Sequence, residues 1–253
     1  MFQVHVPYAP TVTIDQAKSC CKMNNLKENL NNVRTRVAIA CEKAGRNPAE
    51  VTILAVSKRH KTDRIQALNQ LGQVSFGENY AQEALAKIAQ FKGSGIEWHF
   101  IGPLQSNKTR DVASHFAWVQ SVDRKKILLR LSNQRPAALG DLNVCIQVNI
   151  DREPQKSGVM PEQAEELARL ASDLPNIHLR GFMTIPQAGS TGHDPCGSYQ
   201  QMDGLFRAML EKGLVLDTLS MGMSADLETA IMCGSTMVRI GTDLFGPRPD
   251  DKT

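Results

Sequence analysis

The chain lacks the features that would place it in a membrane, a disulfide scaffold, a metal centre or a nucleic-acid complex. No apolar stretch approaches the ~20 residues of a membrane span, and no basic N-terminal region runs into an uninterrupted apolar one. The six cysteines, at positions 20, 21, 41, 145, 196 and 233, show no repeated spacing, and the adjacent Cys20-Cys21 pair suits neither a disulfide framework nor a zinc site. A reducing, cytoplasmic setting is expected. None of the six histidines falls in a ligand spacing such as His-x-x-x-His, so no metal site is expected. Charge is nearly balanced, with 29 basic and 26 acidic residues, which leaves neither a basic face for nucleic acid nor an acidic tail. Lys108, Arg110 and the run Arg124-Lys125-Lys126 read as solvated helix faces.

What is present is a 253-residue chain, 42% apolar, with enough material for one substantial core. Residues 1–22 read as a poorly ordered leader, 23–248 as one domain and 249–253 as a short tail. From Asn25 to Asn47, Leu26, Leu30, Val33, Val37 and Ala40 recur at helical spacing, and Gly45 and Pro48 end the helix. Eight β-rich runs then alternate with helical patterns: Val51 to Val56, Val74 to Phe76, Trp98 to Ile101, Trp118 to Gln120, Val144 to Ile150, His178 to Thr184, Thr218 to Ser220 and Met237 to Ile240. Such a succession fits an α/β fold, a single (β/α)8 TIM barrel with an extra N-terminal helix. The alternative is an open doubly wound sheet. It would more often follow its first strand with a glycine-rich dinucleotide turn, where this chain has Ser57-Lys58-Arg59-His60. Pro186 to Ser198 is the longest breaker-rich stretch and reads as a surface loop near the barrel mouth.

Polar residues directly after strands are the functional candidates in a barrel. Lys58 is the most informative, because a desolvated lysine amine becomes a nucleophile toward an aldehyde; the plainer reading is a lysine that snorkels to solvent. Ser220-Met221-Gly222-Met223-Ser224 carries a strand toward a helix starting near Ala225, so Ser224 is either its N-cap alone or part of a phosphate-binding turn. In Arg239-Ile240-Gly241-Thr242, a glycine that lets backbone approach an anion is followed by a hydroxyl; the plainer reading is a turn glycine. Phosphate often sits on the last two strands of this fold. With Lys58, these ends suggest covalently bound pyridoxal phosphate. Arg239, placed beside a pyridine nitrogen, would keep it unprotonated and weaken the ring as an electron sink, unless it is paired with a carboxylate. His99, inside an apolar strand, is expected to be a core histidine rather than a catalytic base.

The blocks Ala55-Val56-Ser57-Lys58, Phe76-Gly77-Glu78-Asn79-Tyr80, Trp98 to Lys108, Lys156-Ser157-Gly158, Arg180 to Pro186, Ser220 to Ser224 and Gly234 to Gly241 resemble the pyridoxal phosphate homeostasis protein family, from about Leu26 to Arg248. The resemblance implies a monomeric or weakly dimeric barrel of the alanine racemase N-terminal type, carrying pyridoxal 5'-phosphate (PLP) as a Schiff base on Lys58. It further implies that Arg239 faces the pyridine nitrogen, that Met223, Ser224, Gly241 and Thr242 hold the phosphate, and that Asn79 neighbours the ring. Arg59-His60-Lys61 departs from the Thr-Lys-Pro often found after the lysine. The expected role is PLP homeostasis without turnover, with PLP-dependent apoenzymes as partners and no nucleic acid or membrane. The alternatives are a racemase or related amino-acid enzyme, and a barrel for another phosphorylated metabolite. Two-base racemisation needs a second acid/base, which in the racemases this barrel resembles comes from a separate C-terminal domain, and only about a dozen residues follow Gly241.

Overall fold

A computed structural model describes residues 14–187 and 196–247, with side chains described from residue 25 onward. The leader's first thirteen positions, the centre of the loop expected over 186–198 and the tail therefore lie outside the described residues. Helix α1 (Ile14–Lys43) begins well before Asn25, because no glycine or proline interrupts it although its apolar stripe starts only at Leu26. After it come β1 (Thr52–Val56), α2 (Thr62–Gln70), β2 (Ser75–Glu78), α3 (Ala81–Gln90), β3 (Glu97–Phe100), α4 (Thr109–His115), β4 (Trp118–Val122) and α5 (Lys125–Gln134). The second half contains β5 (Leu142–Gln147), α6 (Ala164–Asp173), β6 (Ile177–Met183), α7 (Cys196–Glu211), β7 (Thr218–Met223), α8 (Leu227–Met232), β8 (Met237–Ile240) and α9 (Thr242–Phe245).

The eight strands form a closed, all-parallel barrel in sequence order, sealed where Thr52 to Ala55 of β1 register against Met237 to Ile240 of β8. The expected barrel is thus the observed fold, and the open sheet is excluded. Parallel strands buried on both faces explain why the runs read as nearly continuous apolar sequence. Outward-facing residues such as Ala55, Phe76, Phe100 and Val119 join the helices in the main core, while Leu54, Val56, Ile101, Cys145, Met183 and Met237 fill the barrel interior. Helix α1 buries Leu26, Leu30, Val33 and Val37 against that core. Among the described residues no helix is long and apolar enough to cross a membrane.

Strand ends differ from expectation where tertiary pairing overrides local preference. β2 runs on through Gly77 and Glu78 because both register with β3, opposite His99 and Phe100. β5 ends at Gln147, and Val148 turns away to bridge Val159. β6 carries a bulge: Val144 pairs with Leu179 but Cys145 with Gly181. At Gly181, φ is +151° and an added Cβ would lie 1.9 Å from the Thr218 carbonyl oxygen. Gly181→Ala should therefore destabilise the protein by about 3 kcal/mol, read as a lowered midpoint in urea unfolding; an unchanged midpoint would mean that the bulge relaxes freely.

Helix α1 is fastened to α8 and α9 through Arg36. Its Nε donates to Glu228 Oε1 at 2.6 Å, its Nη2 to Glu228 Oε2 at 2.8 Å and to the Ser224 carbonyl at 2.9 Å, and its Nη1 to Asp243. The hydrogen bond from Arg36 holds the Glu228 carboxyl below its ordinary value of 4.5. That stabilisation is complete above pH 4.5 and fades as pH falls through the depressed folded value. Arg36→Ala should cost about 1 kcal/mol near neutrality, given partial exposure. In a pH series of thermal midpoints, the deficit should shrink with acidification.

Candidate cofactor site

Lys58 is set by the turn that follows β1. Ser57 N–H donates to the Gly77 carbonyl at 2.9 Å and its hydroxyl to Glu78 Oε1 at 2.6 Å, while His60 N–H returns to the Ser57 carbonyl at 3.1 Å. Arg59 takes a left-handed φ of 63°, and its N–H donates to Glu83. Beneath the turn, buried Lys87 donates 2.7 Å hydrogen bonds to the Ser57 carbonyl, Glu78 and Glu83. Burial raises the Glu78 carboxyl, against the pull of Lys87. Lys58 itself is half-buried. His60 stacks on Phe245 at 4.5 Å and ties this turn to α9.

All seven expected residues, Lys58, Asn79, Met223, Ser224, Arg239, Gly241 and Thr242, line one cleft of about 270 Å³ at the C-terminal ends of the strands. Asn79 follows β2, and its backbone touches the next strand end so closely that a Cβ on Gly102 would lie 2.1 Å from its carbonyl oxygen. Its buried Oδ1 has no hydrogen-bond partner among the described residues. Gly241 has a negative φ of −112°, and an added Cβ would meet Val56 at an ordinary 3.6 Å. Its missing side chain relieves no strain and instead leaves room in the cleft.

Arg239 is 5% exposed and, among the described residues, forms no ion pair with a carboxylate. Its Nη1 donates to the Ser220 carbonyl at 2.8 Å and the Ser220 hydroxyl at 3.0 Å, and its Nη2 to the Thr184 carbonyl at 2.8 Å. Burial lowers its pKa from the ordinary range, although a guanidinium keeps its charge at any physiological pH.

Ser224 is not the cap of the following helix. Helix α8 starts at Leu227, and Asp226 takes the turn's amide instead, accepting from Met223 N–H at 2.6 Å while Tyr199 donates to its other oxygen at 2.9 Å. The backbone N–H groups of Ser224 and Ala225 consequently have no backbone acceptor among the described residues. The Ser224 hydroxyl meets Asp243 N–H at 3.4 Å, so the turns after β7 and β8 touch. His60, Glu78 with Lys87, and Arg36 were missing from the expected site. Only Glu78 carried a signal, as a polar residue at a strand end. His99 is wholly buried, as expected of a core histidine. Among the described residues no group of three or more His, Cys, Asp or Glu side chains could hold a metal ion.

The family model for the alanine racemase N-terminal domain matches residues 23–249. The pyridoxal phosphate homeostasis protein of Pseudomonas aeruginosa is 50% identical over 226 residues, 89% of this chain and 97% of that relative. The protein of the same name from Escherichia coli K12 is 47% identical over 233 residues, 91% of this chain and all of that one (100%). The structure of PipY from Synechococcus elongatus PCC7942 with PLP bound is similar with a TM-score of 0.76 at 32% identity, covering 87% of this chain and 100% of that one. With the barrel, the cleft and these likenesses in agreement, the chain belongs to the pyridoxal phosphate homeostasis protein family, on the alanine racemase N-terminal domain fold.

Proposed function

We propose that the protein binds PLP covalently through the Lys58 amine and serves intracellular PLP homeostasis, holding and releasing the cofactor without turning over a substrate. The observation that carries this reading is the convergence of an amine, a buried guanidinium and two anion-capable turns on one cleft. These residues fit the group. Ser224 and Thr242 offer hydroxyls, Met223 and Gly241 the adjoining backbone, and the Asn79 Oδ1 acceptor is open to a ligand hydroxyl. Arg239, charged and anchored by neutral oxygens, would donate to the pyridine nitrogen. Bound PLP supplies an aldehyde that condenses with amines and a ring whose electron-withdrawing power depends on that nitrogen's protonation. A guanidinium there keeps the nitrogen unprotonated, which suits storage better than carbanion chemistry. The relatives' names, which refer to homeostasis, support the same choice. A cytoplasmic location, delivery to PLP-dependent apoenzymes and a monomeric or weakly dimeric state complete the reading.

The purified protein with PLP should show a visible absorption band and a borohydride-fixed adduct at Lys58, both absent from Lys58→Ala. An adduct surviving in that variant would refute covalent attachment there. Ser224→Ala and Thr242→Val should each weaken PLP binding about tenfold, the loss of one hydrogen bond to a charged group. Fluorescence titration reads this, and undiminished affinity would move the phosphate elsewhere. Incubation with D- and L-alanine in D2O should leave Cα protons unexchanged; rapid exchange would turn the reading toward a racemase.

A further inference from the structure

A line of polar side chains crosses the barrel interior from its floor to the cleft. At the floor stands Glu97, whose side chain is 43% exposed. Glu97 Oε1 lies 2.9 Å from His99 Nε2, His99 Nδ1 lies 2.9 Å from Gln120 Nε2, and Gln120 Oε1 lies 2.7 Å from Ser220 Oγ. The Ser220 hydroxyl, in turn, accepts from Arg239 Nη1 at 3.0 Å. His99, Gln120 and Ser220 are each fully buried.

Donor counting gives this line one direction. Ser220 accepts from Arg239, so its single proton goes to the Gln120 oxygen. The Gln120 amide then donates one hydrogen to His99 Nδ1 and the other to Met237 Sδ at 3.0 Å. Flipping the amide would set its oxygen against that sulfur and leave the Ser220 proton without its acceptor. His99 Nδ1 is therefore an acceptor, and Nε2 carries the proton donated to the Glu97 carboxylate. The charge environment agrees. Burial lowers the His99 pKa, and the hydrogen bond from His99 lowers that of Glu97. Arg180, its guanidinium 4.5 Å from the Trp118 ring that stacks on His99 at 4.9 Å, further opposes an imidazolium. Asp226 and Tyr199 are the other ionisable groups acting on Arg239 beside buried Cys145.

We propose that Ser220, Gln120 and His99 form a one-way hydrogen-bond chain that couples the Glu97 carboxylate at the barrel floor to Arg239 and holds its guanidinium toward the cleft. The three are positioning residues for the pyridine-nitrogen contact, a role that rests on the PLP reading above. Together with the more distant charge of Asp226, the chain balances a buried cation that forms no ion pair with a carboxylate among the described residues, since aligned hydrogen bonds polarise one another and stray cations in low dielectric are unstable.

The test starts with 15N NMR of the histidines in the PLP-free protein: His99 should be neutral, with Nε2 protonated and Nδ1 bare. A proton on Nδ1, or on both nitrogens, overturns the chain. In Glu97→Gln, which removes the charge at a partly exposed site far along the chain from the cleft, PLP should dissociate at least about threefold more readily, equivalent to roughly 0.7 kcal/mol. The visible band should also shift, at a thermal midpoint close to wild type. A merely structural Glu97 would move the midpoint and leave the band in place, and that result overturns the proposal. Ser220→Ala should reproduce the band shift, whereas Ser220→Thr, which keeps the hydroxyl, should restore the wild-type band; no difference between the two overturns it as well. If wild type shows no band and no borohydride adduct, the cofactor reading fails and takes the claim on PLP affinity with it. The His99 resonances distinguish that failure from failure of the chain.

Discussion

A positive charge enclosed in a barrel is the constraint on which the upper interior depends. Arg239 is surrounded by protein, and its direct partners are carbonyl and hydroxyl oxygens supplied by β7 and by Thr184 beyond β6. Leaving such a charge without hydrogen bonds would cost several kcal/mol, so the neighbouring strands must end where they do. Ser220 has to point inward, and the chain after Met183 has to present the Thr184 carbonyl. The same oxygens leave part of the guanidinium to face the cleft. Stability and binding therefore draw on one arrangement.

The turns after β7 and β8 are separated in sequence but behave as one surface. Asp226 organises the first from within, by accepting the Met223 amide. Arg36 joins it to the second from outside, through contacts that span 192 and 207 positions. A helix that would otherwise only cover apolar surface thus fixes the spacing between two anion-capable segments. Lys87 plays the equivalent part beneath the Lys58 turn, where one ammonium gathers a carbonyl and two carboxylates.

Much of this architecture could be read from the sequence because it is local. Apolar, β-branched runs marked all eight strands, and the residues immediately after them marked the cleft. What could not be read falls into two kinds. Boundaries shifted where pairing with a neighbour extended a strand through glycine, as at Gly77 and Gly222, since local preference counts glycine as an ending. Partnerships were invisible where they join distant positions: Gln120 meets Ser220 across 100 residues, and nothing in a run of apolar letters signals that the interior residues include a histidine, a glutamine and a serine in register. Of the two readings of Ser224, the helix cap fails because α8 starts only at Leu227, which puts Asp226 and not Ser224 in the N-cap position.

Asp151 has an importance of a different kind. One of its oxygens accepts from Gln187 N–H and the other from the Ser198 hydroxyl. A single carboxylate thus ties the backbone that follows β6 to the first turn of α7, much as a buckle joins two ends. Two elements that follow one another in the chain are thereby pinned to the loop after β5, so a single charge on that loop sets where β6 hands over to α7.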